Sequence, residues 1–400
     1  MNNETKKGKL VPELRFPGFE GEWEMKRLGE IADRCNFRNK DKAETRVLTN
    51  SATEGVVDQN AYFDKDIAVK ENTDNYHIVD RDDFVYNPRI STSAPVGPIS
   101  RNKLGRGIMS PLYSVFRFKS ENIDYLEHFF STTLWHKYLK QVANYGARFD
   151  RMAISTEDFY AMPIFVPSLP EQQKIAECLS SVDDLIQAEA DQLQALKDHK
   201  KGLMQQLFPQ EGETTPKLRF PGFEGEWEEK KLGEVAESFK TGKLDANAMI
   251  EGGKYRFYTC SKDYSFIDTY AFEGDCILIA GNGAHLGYVH HFDGKFNAYQ
   301  RTYVLSGFLC ESDYLEYCIR RFLPDRIRRE KKEGNTPYIV LSTLTDMSIF
   351  LPPSLPEQQI IASCLSSLDE GIAAQQEKVE ALKEHKKGLM QKLFPICNEQ

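Results

Sequence analysis

From Ile175 the apolar residues of this chain step forward by four and three positions in alternation, through Leu179, Val182, Ile186, Leu193, Leu196, Leu203 and Leu207, with polar interruptions at Glu189 and Lys200. The stepping returns from Ile361 through Leu365, Leu368, Ile372, Val379, Leu382, Leu389 and Leu393, interrupted at Gln375 and Lys386. Strict 4-3 alternation is a coiled-coil seam, narrower than an ordinary amphipathic stripe. It predicts two helices, each roughly 50 Å long at 1.5 Å per residue. Pro170 and Pro356 stand at the starts, ahead of Glu171 and Glu357, where acidic groups suit a helix N-terminus. Pro209 and Pro395 mark the ends. Because a whole domain precedes or follows each helix, an antiparallel pairing within the chain is geometrically easiest. The polar seam positions fit two readings, tolerated solvated defects or residues that fix register and orientation.

These stretches belong to a larger repeat. "SLPEQQKIAECLSSVDDLIQ" from Ser168 returns as "SLPEQQIIASCLSSLDEGIA" from Ser354, and "LRFPGFEGEWEMKRLGE" from Leu14 returns as "LRFPGFEGEWEEKKLGE" from Leu218. The centres between them, residues 33–161 and 237–347, share little sequence. A period near 200 residues indicates duplicated domains rather than a solenoid. Within each centre the pattern turns to mixed α/β. "DFVYNP" leads into the polar loop "RISTSAPVGPISRNKLGRG", the strand "SVFRF" and the helix "IDYLEHFFSTTLWHKYLKQV". "CILIAGNGAHLGYVHHF" leads to "NAYQRTYVL" and the helix "SDYLEYCIRRFLPDRIRREKKE". A shared order of elements with divergent loops is how a scaffold carries variable recognition. The organisation expected is α/β (mixed α+β): a flexible tail 1–11, a globular domain 12–167, a coiled-coil helix 168–209, a linker and second domain 210–353, and a second helix with its tail 354–400. The two domains are joined by an antiparallel helix pair with pseudo-two-fold duplication.

Composition narrows the classes. At roughly 100–200 residues per domain, 400 residues give two to four domains. No apolar run long enough for a membrane helix occurs and no signal-peptide core opens the chain, so a cytoplasmic protein without membrane contact is expected. The eight cysteines form no C-x-x-C pair and read as core residues. The net charge of −9 argues against nucleic acid only until it is located. Residues 33–161 hold 18 basic and 18 acidic side chains, and residues 237–347 hold 14 and 15, so the acidity sits mainly in the repeated frame.

Catalytic patterns do not assemble. "AGNGAHLG" lacks the third glycine of a nucleotide fingerprint. Asn87–Pro88 is followed by Arg89 where an aromatic should continue an amino-methyltransferase loop. Pro324, Asp325, Glu330 and Lys332 fall within one helix, and no arrangement in the sequence around His290–His291 specifies a metal. No metal site and no cofactor bound by the chain itself are expected. The residues suited to base edges or phosphates are Arg89, Ser91, Arg101, Lys103, Arg106, Arg148 and Arg151 in the first centre. In the second they are Lys240, Lys243, Asn282, His285, Gln300, Arg301, Asn335, Thr336 and Tyr338. The cluster Arg320, Arg321, Arg326, Arg328, Arg329, Lys331 and Lys332 reads either as a phosphate track or as a solvated helix face.

The doubled "LRFPGFEGEW…LGE", "SLPEQQ" and "KKGLMQ" blocks around dissimilar centres resemble the DNA specificity subunits of type I restriction-modification systems. The resemblance covers the chain after residue 11. It implies a noncatalytic reader of double-stranded DNA whose two target-recognition domains each read half of a split sequence. It also implies helices that act as a spacer and dock methylation subunits, two in number, with restriction subunits a further partner class left open. S-adenosylmethionine would then belong to the methylation subunits, and ATP and Mg to the restriction subunits. Individual base contacts do not carry over, because the centres are where family members differ. A noncatalytic coiled-coil scaffold and a stand-alone DNA-modifying enzyme are the competing classes.

Overall fold

The computed structural model describes residues 10–62, 73–144, 150–210, 212–330 and 337–395. The chain divides into two compact units, one running to Ala188 and resuming at Val379, the other spanning Glu189–Lys378. Each unit therefore combines a globular domain with part of both long helices, Leu169–Gln206 and Leu355–Leu393. The first unit is discontinuous in sequence, since the end of the second long helix returns to complete its core, whereas the second is one continuous stretch that takes the end of one helix and the start of the other.

In the first unit a short antiparallel ribbon, Glu24–Arg27 with Pro163–Val166, closes the domain where its chain ends meet. The main sheet has the order Ala32–Arg34, Ser114–Phe118, Phe84–Tyr86, Ile99–Arg101, all antiparallel. The last of these strands lies inside the stretch read from sequence as a polar loop. Its single buried residue, Ile99, is too weak an alternation to mark it. Gly97 makes the turn before it possible, with φ +77° and a packing so close to the Asn87 carbonyl that a Cβ would collide.

The stretch read as one helix is two, Ile123–Phe130 and His136–Val142. Between them the Ser131 and Thr132 hydroxyls donate to the carbonyls of Glu127 and Phe129, at 3.0 and 2.7 Å, competing with helical continuation. Phe84, Phe116, Phe129, Phe130 and Trp135 fill the core with Ile175 and Leu179 of the first long helix, Leu393 at the end of the second and Phe394 just past it.

The second unit repeats the plan. Its ribbon is Glu228–Lys231 with Ser348–Leu351. Its sheet has the order Ala236–Thr241, Thr302–Phe308, Phe272–Ala280, Val289–Ala298, extended by Tyr255–Tyr258 and Ser265–Ile267. The helix Ser312–Glu330 lies against it and carries Pro324 inside. Leu207 and Phe208, just past the end of the first long helix, join Ile361 and Leu365 from the second in this core.

The repeated sequence blocks find their reason here. Arg15 clamps the buried Glu171 carboxylate with two hydrogen bonds of 2.8 Å and also donates to the carbonyls of Glu20 and Gly21. Arg219 treats Glu357 likewise, at 2.7 and 2.8 Å. The glutamine that follows each glutamate caps the domain helix region, Gln172 accepting from Asn122 N and Gln358 from Glu311 N. The tail read as free to residue 11 is docked at its end, where Trp23 N donates to the Leu10 carbonyl. Thr214, in the linker, takes the same bond from Trp227 N.

Within each unit the long helices run antiparallel. In the first, Lys386 meets Asp183 while Leu393 packs with Ile175 and Leu179. In the second, Lys200 meets Asp369 while Leu207 packs with Ile361 and Leu365. Leu179, Leu193, Leu365 and Val379 are buried, and Val182, Ile186, Leu196, Leu368, Ile372 and Leu382 partly so, while the other helix faces are mostly exposed. The polar seam residues are all partnered. Gln375 donates to Glu189 at 2.7 Å, and the two lysines hold their aspartates. Among the described residues no helix is long and apolar enough to cross a membrane.

Candidate nucleic-acid interface

In the first domain the central strand Phe84–Tyr86 runs into Asn87–Pro88–Arg89. Asn87 is buried, and its side chain donates to the Asn50 carbonyl at 2.9 Å and accepts from Arg89 N at 3.1 Å, which fixes the bend. Arg89 then forms an antiparallel bridge with Arg151, flanked by Met152 N to Pro88 O and Ile90 N to Asp150 O. Ser91 closes the following turn by accepting from Ala94 N. Behind the bridge is a cavity of about 440 Å³ whose lining includes Arg34, Tyr86, Arg151, Ser155 and Tyr160. Arg151 Nε and the Tyr160 hydroxyl are buried there without a hydrogen-bond partner among the described residues.

The second domain builds the same junction from different residues. Strand Phe272–Ala280 runs into Gly281–Asn282–Gly283, and Asn282 bridges Tyr338 as Arg89 bridges Arg151. Gly283 N donates to Pro337 O, Ile339 N to Gly281 O, and Gly281 N to Arg301 O. A Cβ on Gly281 would collide with that Arg301 carbonyl, so glycine is required. Gln300 N donates to Leu244 O, which brings the Lys243–Leu244 turn alongside. His285 stands in the same loop, its carbonyl accepting from Tyr288 N. Lys240, Lys243, Gln300, Arg301 and Tyr338 are exposed.

Not every candidate falls at these junctions. Arg101 sits at the opposite end of its hairpin, pairing in register with Phe84 while Ile99 pairs with Tyr86. It is mostly buried and held by Asp82, Asp124 and Glu127. Lys103 pairs with Glu127 and Arg106 with Asp80, both with exposed side chains. Arg148, Asn335 and Thr336 lie outside the described residues. The arginine cluster on helix Ser312–Glu330 is largely neutralised within the helix. Arg320 pairs with Glu316, Arg321 and Arg328 with Asp325, and Arg326 with Glu330. By contrast Arg89, Lys240, Lys243 and Arg301 form no ion pair among the described residues, so their charge is available to an outside anion.

Two features escaped the sequence. Arg256 is sandwiched between the Tyr264 and Phe292 rings at 4.4 Å from each, a contact only the strand pairing brings about. His291, around which no arrangement in the sequence specifies a metal, is met by Asp275, Asp313 and Glu316. Burial pulls its pKa down, but hydrogen bonds to Glu316 and Asp275 outweigh that and lift it to about 9.

The chain matches the family described as "Type I restriction modification DNA specificity domain" twice, over residues 20–198 and 224–384. It is 36% identical over 157 residues to the Type I restriction enzyme EcoDI specificity subunit of Escherichia coli, covering 39% of this chain and 34% of that one. The match thus spans about a third of that relative's length. Over 305 residues it is 27% identical to the Type I restriction enzyme MjaIX specificity subunit of Methanocaldococcus jannaschii, 68% of each chain. Its fold is similar to that of the type I restriction-modification S subunit from M. genitalium, with TM-score 0.61, 15% identity, and coverage of 97% of this chain and 100% of that one. It is also similar to a chain from a structure of the type I R-M system described for complex assembly and conformational transition, with TM-score 0.57, 18% identity, and coverage of 96% and 99%. With two matched segments that together take in both domains and most of both long helices, the chain belongs to the family of type I restriction-modification DNA specificity proteins.

Proposed function

We propose that this chain reads a split sequence in double-stranded DNA as the specificity subunit of a cytoplasmic type I restriction-modification complex. Each domain reads one half-site. The chain catalyses nothing itself. Methyl transfer from S-adenosylmethionine belongs to methylation subunits docked on the helices, and ATP hydrolysis with Mg to restriction subunits where these are present. The observation that carries the reading is the paired junction. In both domains the loop leaving the central strand is hydrogen-bonded to the segment after the domain helix, with exposed cations at its edge that no carboxylate neutralises among the described residues. Cations left free in this way suit phosphate, and a rigidly braced loop beside them suits the reading of base edges.

The test compares Arg89→Ala and Arg301→Ala in the assembled complex, on duplexes carrying single mismatches in either half-site and at two salt concentrations. Arg89→Ala is expected to act on the first half-site only and Arg301→Ala on the second only. Each should weaken binding by about 1–3 kcal/mol where a base contact is lost, or flatten the salt dependence where a phosphate contact is lost. Unchanged affinity, preference and salt slope in both variants would remove the junctions from the DNA surface.

A further inference from the structure

The second domain holds a cluster that the DNA reading does not use. His291, on strand Val289–Ala298, donates from Nε2 to Asp275 Oδ1 at 2.5 Å. Its Nδ1 lies 3.1 Å from Asp313 Oδ1 and 3.2 Å from Glu316 Oε2. Asp275 comes from the neighbouring strand, and Asp313 and Glu316 stand three residues apart on one face of the helix Ser312–Glu330. The His291 side chain is 16% exposed and that of Asp313 61%, so the cluster opens to solvent on the Asp313 side.

The first domain builds the same cradle around a different group. Asp82 lies two residues before Phe84, whose register partner is Arg101, just as Asp275 lies two before Ile277, whose partner is His291. Asp124 and Glu127 occupy the first turns of their helix as Asp313 and Glu316 do. Arg101 fills this cradle, at 2.6 Å from Asp82, 2.5 Å from Asp124 and 3.4 Å from Glu127. One copy thus encloses a permanent guanidinium cation and the other a side chain whose Nδ1 can ligate a metal by releasing its proton to solvent as the ion binds.

The second cradle has the outer contacts a metal site needs. A ligating imidazole commonly donates its other ring N–H to a carboxylate, and Asp275 accepts from Nε2, which turns Nδ1 toward Asp313 and Glu316. Arg320 engages Glu316 Oε1 and leaves Oε2 facing Nδ1. The candidate ligand atoms of His291, Asp313 and Glu316 all lie within 4.8 Å of one another. Two ligands each about 2.1 Å from a tetrahedral ion stand roughly 3.4 Å apart, close to the spacings between Nδ1 and the two carboxylates. One imidazole with two carboxylates and an open position suits Zn²⁺ and its late first-row neighbours better than the all-oxygen sets that hold Ca²⁺ or Mg²⁺.

We propose that His291, Asp313 and Glu316 bind one divalent transition-metal ion of the Zn²⁺ class, oriented by Asp275 and Arg320. The ion would tie strand Val289–Ala298 to helix Ser312–Glu330, and Arg101 makes the equivalent cradle of the first domain unable to bind one.

The test titrates Zn²⁺ into the chelator-treated full-length chain against a chromophoric competitor and follows thermal unfolding in parallel. The expected result is one saturable site per chain, with a rise in the unfolding midpoint. His291→Arg keeps a cation in the cradle by copying the first domain, and should lose that site while the midpoint of the metal-free protein is held. Asp313→Asn removes an exposed ligand and should weaken binding at least tenfold. Absence of a saturable site in the parent chain, or equal Zn²⁺ affinity in the parent and His291→Arg, overturns the proposal.

Discussion

At the scale of single residues, the repeated blocks read as ion-pair hardware. Glu171 and Glu357 are each about 1% exposed, and a buried carboxylate is tolerable only when paired and hydrogen-bonded. Arg15→Ala is therefore expected to destabilise the first unit by about 3–5 kcal/mol, because it strands Glu171. The second unit should keep its stability, and hydrogen exchange resolved by domain checks both halves of the statement. The repetition of these residues was legible in the sequence. Their partnership was not, since 156 residues separate Arg15 from Glu171.

The buried histidines set a pH dependence. Burial, with Lys386 nearby, holds His128 at about 4, below the ordinary 6.5, and burial does the same to His77 and His136. A group whose folded pKa is depressed in this way stabilises the fold above its unfolded pKa and loses that contribution as the pH drops. The first unit should therefore weaken between pH 6.5 and about 4, with His128 contributing roughly 1.4 kcal/mol per pH unit. His128→Tyr copies Tyr317, which occupies the matching place and donates to Asp369 at 2.8 Å. Acid titration of unfolding should show a shallower slope in this variant, and an unchanged slope would assign the dependence to the other two histidines.

At the scale of elements, apolar periodicity located the long helices and the strand Ser114–Phe118, because both expose a clean pattern to the reader. It missed strand Ile99–Arg101 and joined two helices into one, because a three-residue strand has little pattern and the helix break is made by two hydroxyl side chains. The polar seam positions look like defects in one dimension. Their partners, Asp183, Asp369 and the Glu189–Gln375 pair, become visible only when the antiparallel helices are side by side. If the pair is the ruler between half-sites, inserting one heptad after Leu193 and one after Val379 keeps the seam and adds roughly 10 Å of helix. The unread gap should lengthen by about three base pairs while both half-sites persist, and mapping of methylated sites in cells carrying the variant checks this.

At the scale of the molecule, the duplication was legible and the units were not. The sequence places "LMQQLFP" between the first long helix and the second domain, and "LMQKLFP" after the second long helix. Leu207 and Phe208 complete the core of the neighbouring second domain, while Leu393 and Phe394 return across the chain to complete that of the first. Only the folded chain shows that return, because the two blocks are nearly identical in sequence. The candidate DNA junctions show the same limit. Arg89, Arg151, Asn282, Arg301 and Tyr338 stood out by residue type, but which of them meet was decided by strand ends and backbone bridges.

On the proposed function, each centre is expected to read its half-site independently of the other. The most direct test replaces residues 33–161 with the corresponding region of a related specificity protein and selects binding sites for the folded, assembled complex from a randomised duplex library. The expected motif has one half-site changed and the other half-site and the gap retained. A motif altered in both halves, or in neither, would contradict it.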